Sequence, residues 1–209
     1  MASTVPCGWI RPPAPAKAFQ MDDIADSETA ARDALSRGDR KQALALLMGW
    51  YGKTLYTYCR HMLGDAALAE DVLQTTFVQA YSDFGRYRGQ SSLRNWLQGI
   101  ARHRSLDTLK MMRRENKHLE RPETPVDVEA EGPSMEEQLH AGAIGKHLAP
   151  CLDRLKAEVR EAILLRFMQQ MSYEEMAKLT GERAATLQMR VTRAMSGLKQ
   201  CLEAAGVSP

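Results

Sequence analysis

At 209 residues the chain can hold one medium domain or two small ones, and its 44% apolar and 26% charged residues are those of an ordinary globular protein. No apolar run approaches the roughly 18–20 residues that cross a bilayer, which argues against membrane insertion. The formal net charge of +2 hides a pattern: residues 27–114 carry 14 basic against 8 acidic groups (+6), residues 115–137 carry 2 against 8 (−6), and residues 138–209 carry 10 against 7 (+3). Two mildly basic blocks flank an acidic one, and a basic block points weakly to a polyanionic partner.

The stretch MASTVPCGWIRPPAPAKAFQ is broken by prolines and has no apolar core, so a signal peptide is not expected. Residues 1–26 read as a disordered tail, with Met21 an alternative start of translation. From Ser27, a possible cap, helix runs to a break at Gly38-Asp39. Leu44, Leu47, Met48, Tyr51, Leu55, Tyr58 and Met62 then recur at steps of three and four, the period of a second helix ended by Gly64-Asp65. A third helix over 67–82 has Ala69, Val72, Leu73, Thr76, Phe77 and Ala80 on its core side. Its other side offers Asp71, Gln74, Thr75 and Val78, a small acidic and amide face suited to a protein partner.

The basic loop GRYRGQSS leads into a long helix capped by Ser91 or Ser92, running to about Arg114 and anchored by Leu93, Trp96, Leu97 and Ile100. Arginines interleaved with Tyr87 and Trp96 suit opened DNA, where phosphates need neutralising and bases need a ring to stack on. Tyr87 is the better stacking candidate and Trp96 the core residue. Residues 115–134, acidic and proline-bearing, read as a flexible linker. Helical pattern resumes near Met135 and again over Ala157 to Met168. In SYEEMAKLTGERAATLQMRVTRAMSGLKQ, Ser172 and Glu175 form a capping-box pattern, Gly181 marks a sharp turn, and a second amphipathic helix follows. This is the layout of a helix-turn-helix, whose second helix enters the major groove. Arg183, Thr186, Arg190 and Arg193 fall on one stripe of it, opposed to Leu187, Val191, Ala194, Leu198 and Leu202. The chain therefore reads as all-α: two helical domains, 27–114 and 135–205, joined by a flexible acidic linker, the second a helix-turn-helix.

Cys7, Cys59, Cys151 and Cys201 form no CxxC pair and the five histidines no HExxH-like group, so the thiols read as free in a reducing cytoplasm, with no metal, cofactor or catalytic residue indicated. A stand-alone helix-turn-helix regulator is the competing reading of the C-terminal pattern.

Two ordered blocks carry a resemblance. LGDAALAEDVLQTTFVQAYSDFGRYRGQSSLRNWLQGIARHRSLDTLK resembles region 2, and LDRLKAEVREAILLRFMQQMSYEEMAKLTGERAATLQMRVTRAMSGLK region 4, of bacterial extracytoplasmic-function (ECF) sigma factors. The resemblance implies an alternative sigma factor, itself no enzyme, that binds core RNA polymerase in the cytoplasm, directs it to promoter DNA, and is held by a cognate anti-sigma factor. It places polymerase binding at Asp71 and Gln74, with Thr75 and Val78 on the same face. It places recognition of the minus-10 element at Tyr87, Arg88, Gln90, Ser91, Asn95, Arg102 and His103, and reading of the minus-35 element at Arg183, Thr186, Arg190 and Arg193. The chain departs from the family pattern at Thr75, where an acid often follows the glutamine, at His103, where asparagine is frequent, and along the last helix, where several basic positions are neutral.

Overall fold

The computed structural model describes residues 21–118 and 143–206, with side chains for residues 28–114 and 147–206. These segments fall in two compact units, one N-terminal and one C-terminal. The expected tail over residues 1–20 and most of the acidic linker lie outside the described residues, as does the helix onset near Met135.

The N-terminal unit contains α1 (Met21–Ser36), α2 (Arg40–Leu63), α3 (Ala66–Asp83), a single 3-10 turn (Phe84–Arg86) and α4 (Leu93–His118). Helix α1 begins six residues before the expected boundary, so Met21 to Asp26 belong to a helix rather than a tail, and Ser27 lies inside α1 rather than capping it. Ala31 and Ala34, one turn apart and fully buried, let α1 lie closely on α2. The break at Gly38-Asp39 is as the sequence suggests: Gly38 takes φ 80°, and Asp39 accepts from the Gln42 N–H at 2.9 Å to start α2.

Helix α2 is the centre of this unit, packing against α1, α3 and α4. Leu47, Tyr51, Leu55, Tyr58 and Met62 are buried, but Met48 is 47% exposed and Leu44 half-buried. Ala43, not Leu44, takes the inner position, so the core stripe lies one residue from the one expected at this end. Gly64 closes α2 in the left-handed region, and Asp65 caps α3 by accepting from the Leu68 N–H at 2.8 Å. Ala69, Val72, Thr76, Phe77 and Ala80 of α3 meet Leu93, Leu97 and Ala101 of α4 in the buried core. Each large apolar side chain withdrawn from water contributes about 1.5–3 kcal/mol.

The C-terminal unit contains α5 (Ala143–Asp153), α6 (Ala157–Ile163), a π turn (Leu164–Met168), α7 (Tyr173–Thr180) and α8 (Ala184–Ala204). The helix expected over 157–168 thus changes pitch after Ile163. Helix α8 packs against α5, α6 and α7, burying Leu187, Val191, Ala194 and Leu198 with Leu165, Met171 and Met176. One disulfide joins Cys151 of α5 to Cys201 of α8, with Cα atoms 5.9 Å apart. The reading of every cysteine as a free thiol is corrected for this pair: helix packing brings two residues 50 positions apart into bonding range, which spacing in sequence cannot reveal. Among the described residues Cys59 is free and buried.

Candidate nucleic-acid and polymerase interfaces

On α3, Asp71, Gln74, Thr75 and Val78 share one exposed side at helical steps of three, one and three. The Thr75 hydroxyl donates back to the carbonyls of Asp71 and Val72, so it spends its proton within the helix. Val78 is 67% exposed, more than any other large apolar side chain among the described residues. The patch combines a carboxylate, an amide and an uncovered branched methyl pair, the makings of a protein contact rather than a DNA contact.

The loop after α3 is held by a network reaching back to α1. The Glu28 carboxylate accepts from the Leu93 N–H at the start of α4, placing an anion on a helix N-terminus. Arg32 pairs with the same Glu28 oxygen at 2.9 Å and reaches the Tyr87 hydroxyl at 3.4 Å. Burial raises the Tyr87 phenol above its ordinary range, so it stays a donor, and it donates to the Ser91 carbonyl within the loop. Ser92, rather than Ser91, supplies the cap, accepting from the Asn95 N–H at 3.1 Å.

The Tyr87 ring lies 5.2 Å from Trp96, centroid to centroid, and Trp96 lies 5.7 Å from Phe84. Trp96 and Ile100 are only half-buried, which corrects their reading as core anchors; Leu93, Leu97 and Ala101 are the fully buried apolar residues of α4. Trp96 instead lines a surface hollow together with Arg86, Tyr87, Arg88, Gln90 and Ser91. Of the residues assigned to the minus-10 element, the structure gathers Tyr87, Arg88, Gln90 and Ser91 at this hollow. Arg102 and His103 stand seven residues beyond Asn95 and Trp96, two turns and roughly 10 Å further along the same side of α4. The sequence reading missed Trp96 as a surface ring and Glu28 and Arg32 as the brace. The i, i+4 opposite charges of the last pair were a visible signal.

In the C-terminal unit the capping box is complete: the Ser172 hydroxyl accepts from the Glu175 N–H at 3.1 Å, and Glu175 accepts from the Ser172 N–H at 2.8 Å. Gly181 takes φ 77° at the turn, and Arg183 opens α8 in extended backbone. The arginine stripe divides here. Arg183 and Arg193 are exposed, as is Thr186. Arg190 is not: its guanidinium makes a bidentate pair with Glu182, and its side chain is 23% exposed. That hydrogen bond to Glu182 raises the Arg190 pKa further. At roughly 100° per residue Arg190 sits at the border of the apolar face, while Ala185, Met189, Thr192, Arg193 and Ser196 lie opposite the core. Thr192 and Gln188 are exposed polar residues that the arginine-centred reading passed over.

Residues 47–115 match the family description Sigma-70 region 2, and residues 148–198 match Sigma-70, region 4. The ECF RNA polymerase sigma factor SigC of Mycobacterium tuberculosis is 30% identical over 138 residues, which are 65% of this chain and 71% of that protein. The chain belongs to the ECF RNA polymerase sigma factor family. The RNA polymerase sigma factor CarQ of Myxococcus xanthus is 26% identical over 166 residues, covering 79% of this chain and 92% of CarQ. The sigma factor RpoE from Bartonella quintana, solved in complex with the anti-sigma factor NepR, superposes with a TM-score of 0.60 at 26% identity, covering 79% of this ECF chain and 97% of that one. As an ECF sigma factor the chain acts in transcription initiation, binding core RNA polymerase and directing promoter recognition, and the family is non-catalytic. Among the described residues no helix is long and apolar enough to cross a membrane, and no group of three His, Cys, Asp or Glu side chains could hold a metal ion.

Proposed function

We propose that the chain works as an alternative sigma subunit whose three surfaces divide the task, and that it has no catalytic activity of its own. The exposed side of α3, with Asp71, Gln74 and Val78, docks on core polymerase, and Thr75 widens that contact without donating to it. The hollow of Tyr87, Arg88, Gln90, Ser91 and Trp96 receives an unstacked base of the minus-10 element, with Asn95, Arg102 and His103 tracking the strand along α4. Extruding a base costs a few kcal/mol, which a ring and flanking arginines offset. In α8, Arg193, Thr186, Gln188 and Thr192 read the minus-35 element, Arg183 neutralises phosphate at the helix start, and Arg190 acts through Glu182 to fix the turn.

The observation that carries this reading is the pairing, on one chain, of a region 2 unit bearing an aromatic and basic hollow with a region 4 helix-turn-helix. The site of action is the cytoplasm, where polymerase is. The neighbouring solved sigma factor is bound to an anti-sigma factor, which supports a cognate anti-sigma partner here. Docking is tested by co-elution of the purified chain with core polymerase on size exclusion. The chain is expected to enter the complex, and Asp71→Ala combined with Val78→Ala to weaken it about tenfold, two lost contacts of the usual interface size. Unchanged affinity in that double variant would move the docking surface off α3.

A further inference from the structure

Among the described cysteines, Cys59 and the Cys151–Cys201 pair live in opposite settings. Cys59 is fully buried beside Ser105, and burial pushes its thiol up to about 11, so it stays protonated and inert at neutral pH. Cys201 lies in the last turns of α8 and is half-exposed, with the Arg154 guanidinium 3.8 Å from its sulfur. Reactive cysteines sit in such partly exposed, electropositive surroundings. Cys151 is 3% exposed, so its sulfur is reached through Cys201 and not directly from solvent.

The bond also sits where it can matter. The chain from Cys151 to Cys201 contains α6, α7 and nearly all of α8, so closing it encloses the whole helix-turn-helix in one covalent loop. Helix α5, on the other side of the bond, is short and carries Pro150 immediately before Cys151. Proline removes an N–H from the helical ladder and crowds the preceding turn. The attachment of α5 therefore leans on its packing, with Leu152 buried at 1%, and on the bond itself. Leu198, three residues before Cys201, is the last fully buried residue of α8.

We infer that Cys151 and Cys201 are a reversible redox-modification site, closed by peroxide-class oxidants and opened by dithiol reductants, and that the closed form holds the reading helix α8 firmly on α5. In closing, the Cys201 thiolate attacks a peroxide oxygen and becomes a sulfenic acid as water or an alcohol leaves. The Cys151 thiol gives up its proton and attacks the Cys201 sulfur. The sulfur–sulfur bond forms and the sulfenic oxygen departs as a second water. In opening, a reductant thiolate attacks the accessible Cys201 sulfur and Cys151 leaves as a thiolate and is protonated. The second thiol of the reductant then displaces Cys201, so the reductant carries away the disulfide and two protein thiols remain. The chemistry stands on these residues alone; its effect on transcription rests on the promoter reading above.

The test uses the full-length chain, reduced with dithiothreitol, then treated with hydrogen peroxide, alkylated and mapped by peptide mass spectrometry. The expected disulfide links Cys151 to Cys201, forms ahead of any adduct at Cys59, and is opened in the folded chain by a thioredoxin-type dithiol. Opening is expected to lower the thermal midpoint of the C-terminal unit by roughly 10 °C. In reconstituted holoenzyme it is expected to reduce transcription from a promoter that needs its minus-35 element by about fivefold. The Cys151→Ser, Cys201→Ser double variant is expected to respond to neither reagent. Failure of the linkage to form, its resistance to the dithiol in the folded chain, or equal transcription from oxidised and reduced wild type would overturn the inference. If no form transcribes at all, the promoter reading fails, while the peptide map and the thermal shift still decide the pair.

Discussion

Arg190 shows how a residue can be placed correctly on a helix while its main partner goes unseen in the sequence. Its spacing from Thr186 and Arg193 put it on a common stripe, and periodicity cannot see that Glu182, across the turn, reaches its guanidinium with both oxygens. A partly buried bidentate pair fixes the start of α8 relative to the turn. Arg193, fully on the solvent side, has no such partner among the described residues. The two arginines should therefore separate under mutation. Arg190→Ala is expected to destabilise the C-terminal unit by about 1.5–3 kcal/mol, the worth of hydrogen bonds to a charged group. Arg193→Ala is expected to stay within about 0.5 kcal/mol of wild type in stability and to lose transcription from minus-35-dependent promoters. Thermal unfolding beside run-off transcription distinguishes them; equal loss of stability in both would return Arg190 to the reading stripe.

Trp96 teaches the same lesson in the other direction. It fell at core spacing, yet the fully buried apolar residues of α4 are Leu93, Leu97 and Ala101, and the indole, packed on Phe84, stays partly exposed beside Tyr87. Which of several apolar residues on a helix is buried depends on the neighbouring helix, and that is tertiary information. The loop residues Tyr87 to Ser91 were legible because a glycine-bearing polar stretch interrupts the helical period on either side of it. Their brace through Glu28 and Arg32 was not, because it spans 65 residues.

At the level of elements, boundaries marked by local chemistry were readable and those marked by packing were not. Asp39, Asp65 and the Ser172–Glu175 box begin helices as their side chains dictate, and Gly64 and Gly181 end them in a backbone region that only glycine enters freely. The early start of α1 and the change of pitch after Ile163 had no such markers. Gly181 carries the turn between α7 and α8. No atom stands within 4 Å of where its Cβ would be, so conformation and not space sets the cost of substitution. Gly181→Ala is expected to cost about 1–2 kcal/mol, the penalty of an L-residue in the left-handed region, measured by denaturant unfolding. In the N-terminal unit, Glu28→Ala removes the acceptor at the start of α4 and is expected to cost about 1 kcal/mol. Because the same carboxylate holds Arg32 against Tyr87, it is expected also to slow promoter opening more than it weakens polymerase binding. A variant with normal opening kinetics would detach the brace from the hollow.

Over the whole molecule, the two units each possess a core, and each carries only part of what promoter binding needs. The exposed cations of α8 are few. Each phosphate contact contributes a salt-dependent increment, and two or three such contacts do not hold a duplex at physiological ionic strength. Tethering to the first unit, and through it to polymerase, raises the effective concentration of α8 at its site without any added charge. On the proposed reading, α8 works as part of a larger assembly, where it selects sequence while other surfaces supply affinity, and a sparsely basic helix is then sufficient. The two-unit, all-helical plan was legible from two motif blocks in order; the covalent link between Cys151 and Cys201 was not, since it depends on how α5 meets α8.

The central claim is that this chain confers promoter choice on polymerase. Its most direct test is to mix the purified chain with core RNA polymerase and a diverse pool of promoter fragments and to map the transcript starts. The account predicts new starts that require both the chain and core polymerase, share one pair of elements at minus 35 and minus 10, and disappear from the pool when Arg193 or Trp96 is replaced by alanine. Starts identical to those of core polymerase alone, or tight specific binding of duplex DNA by the chain without polymerase at physiological salt, would contradict it.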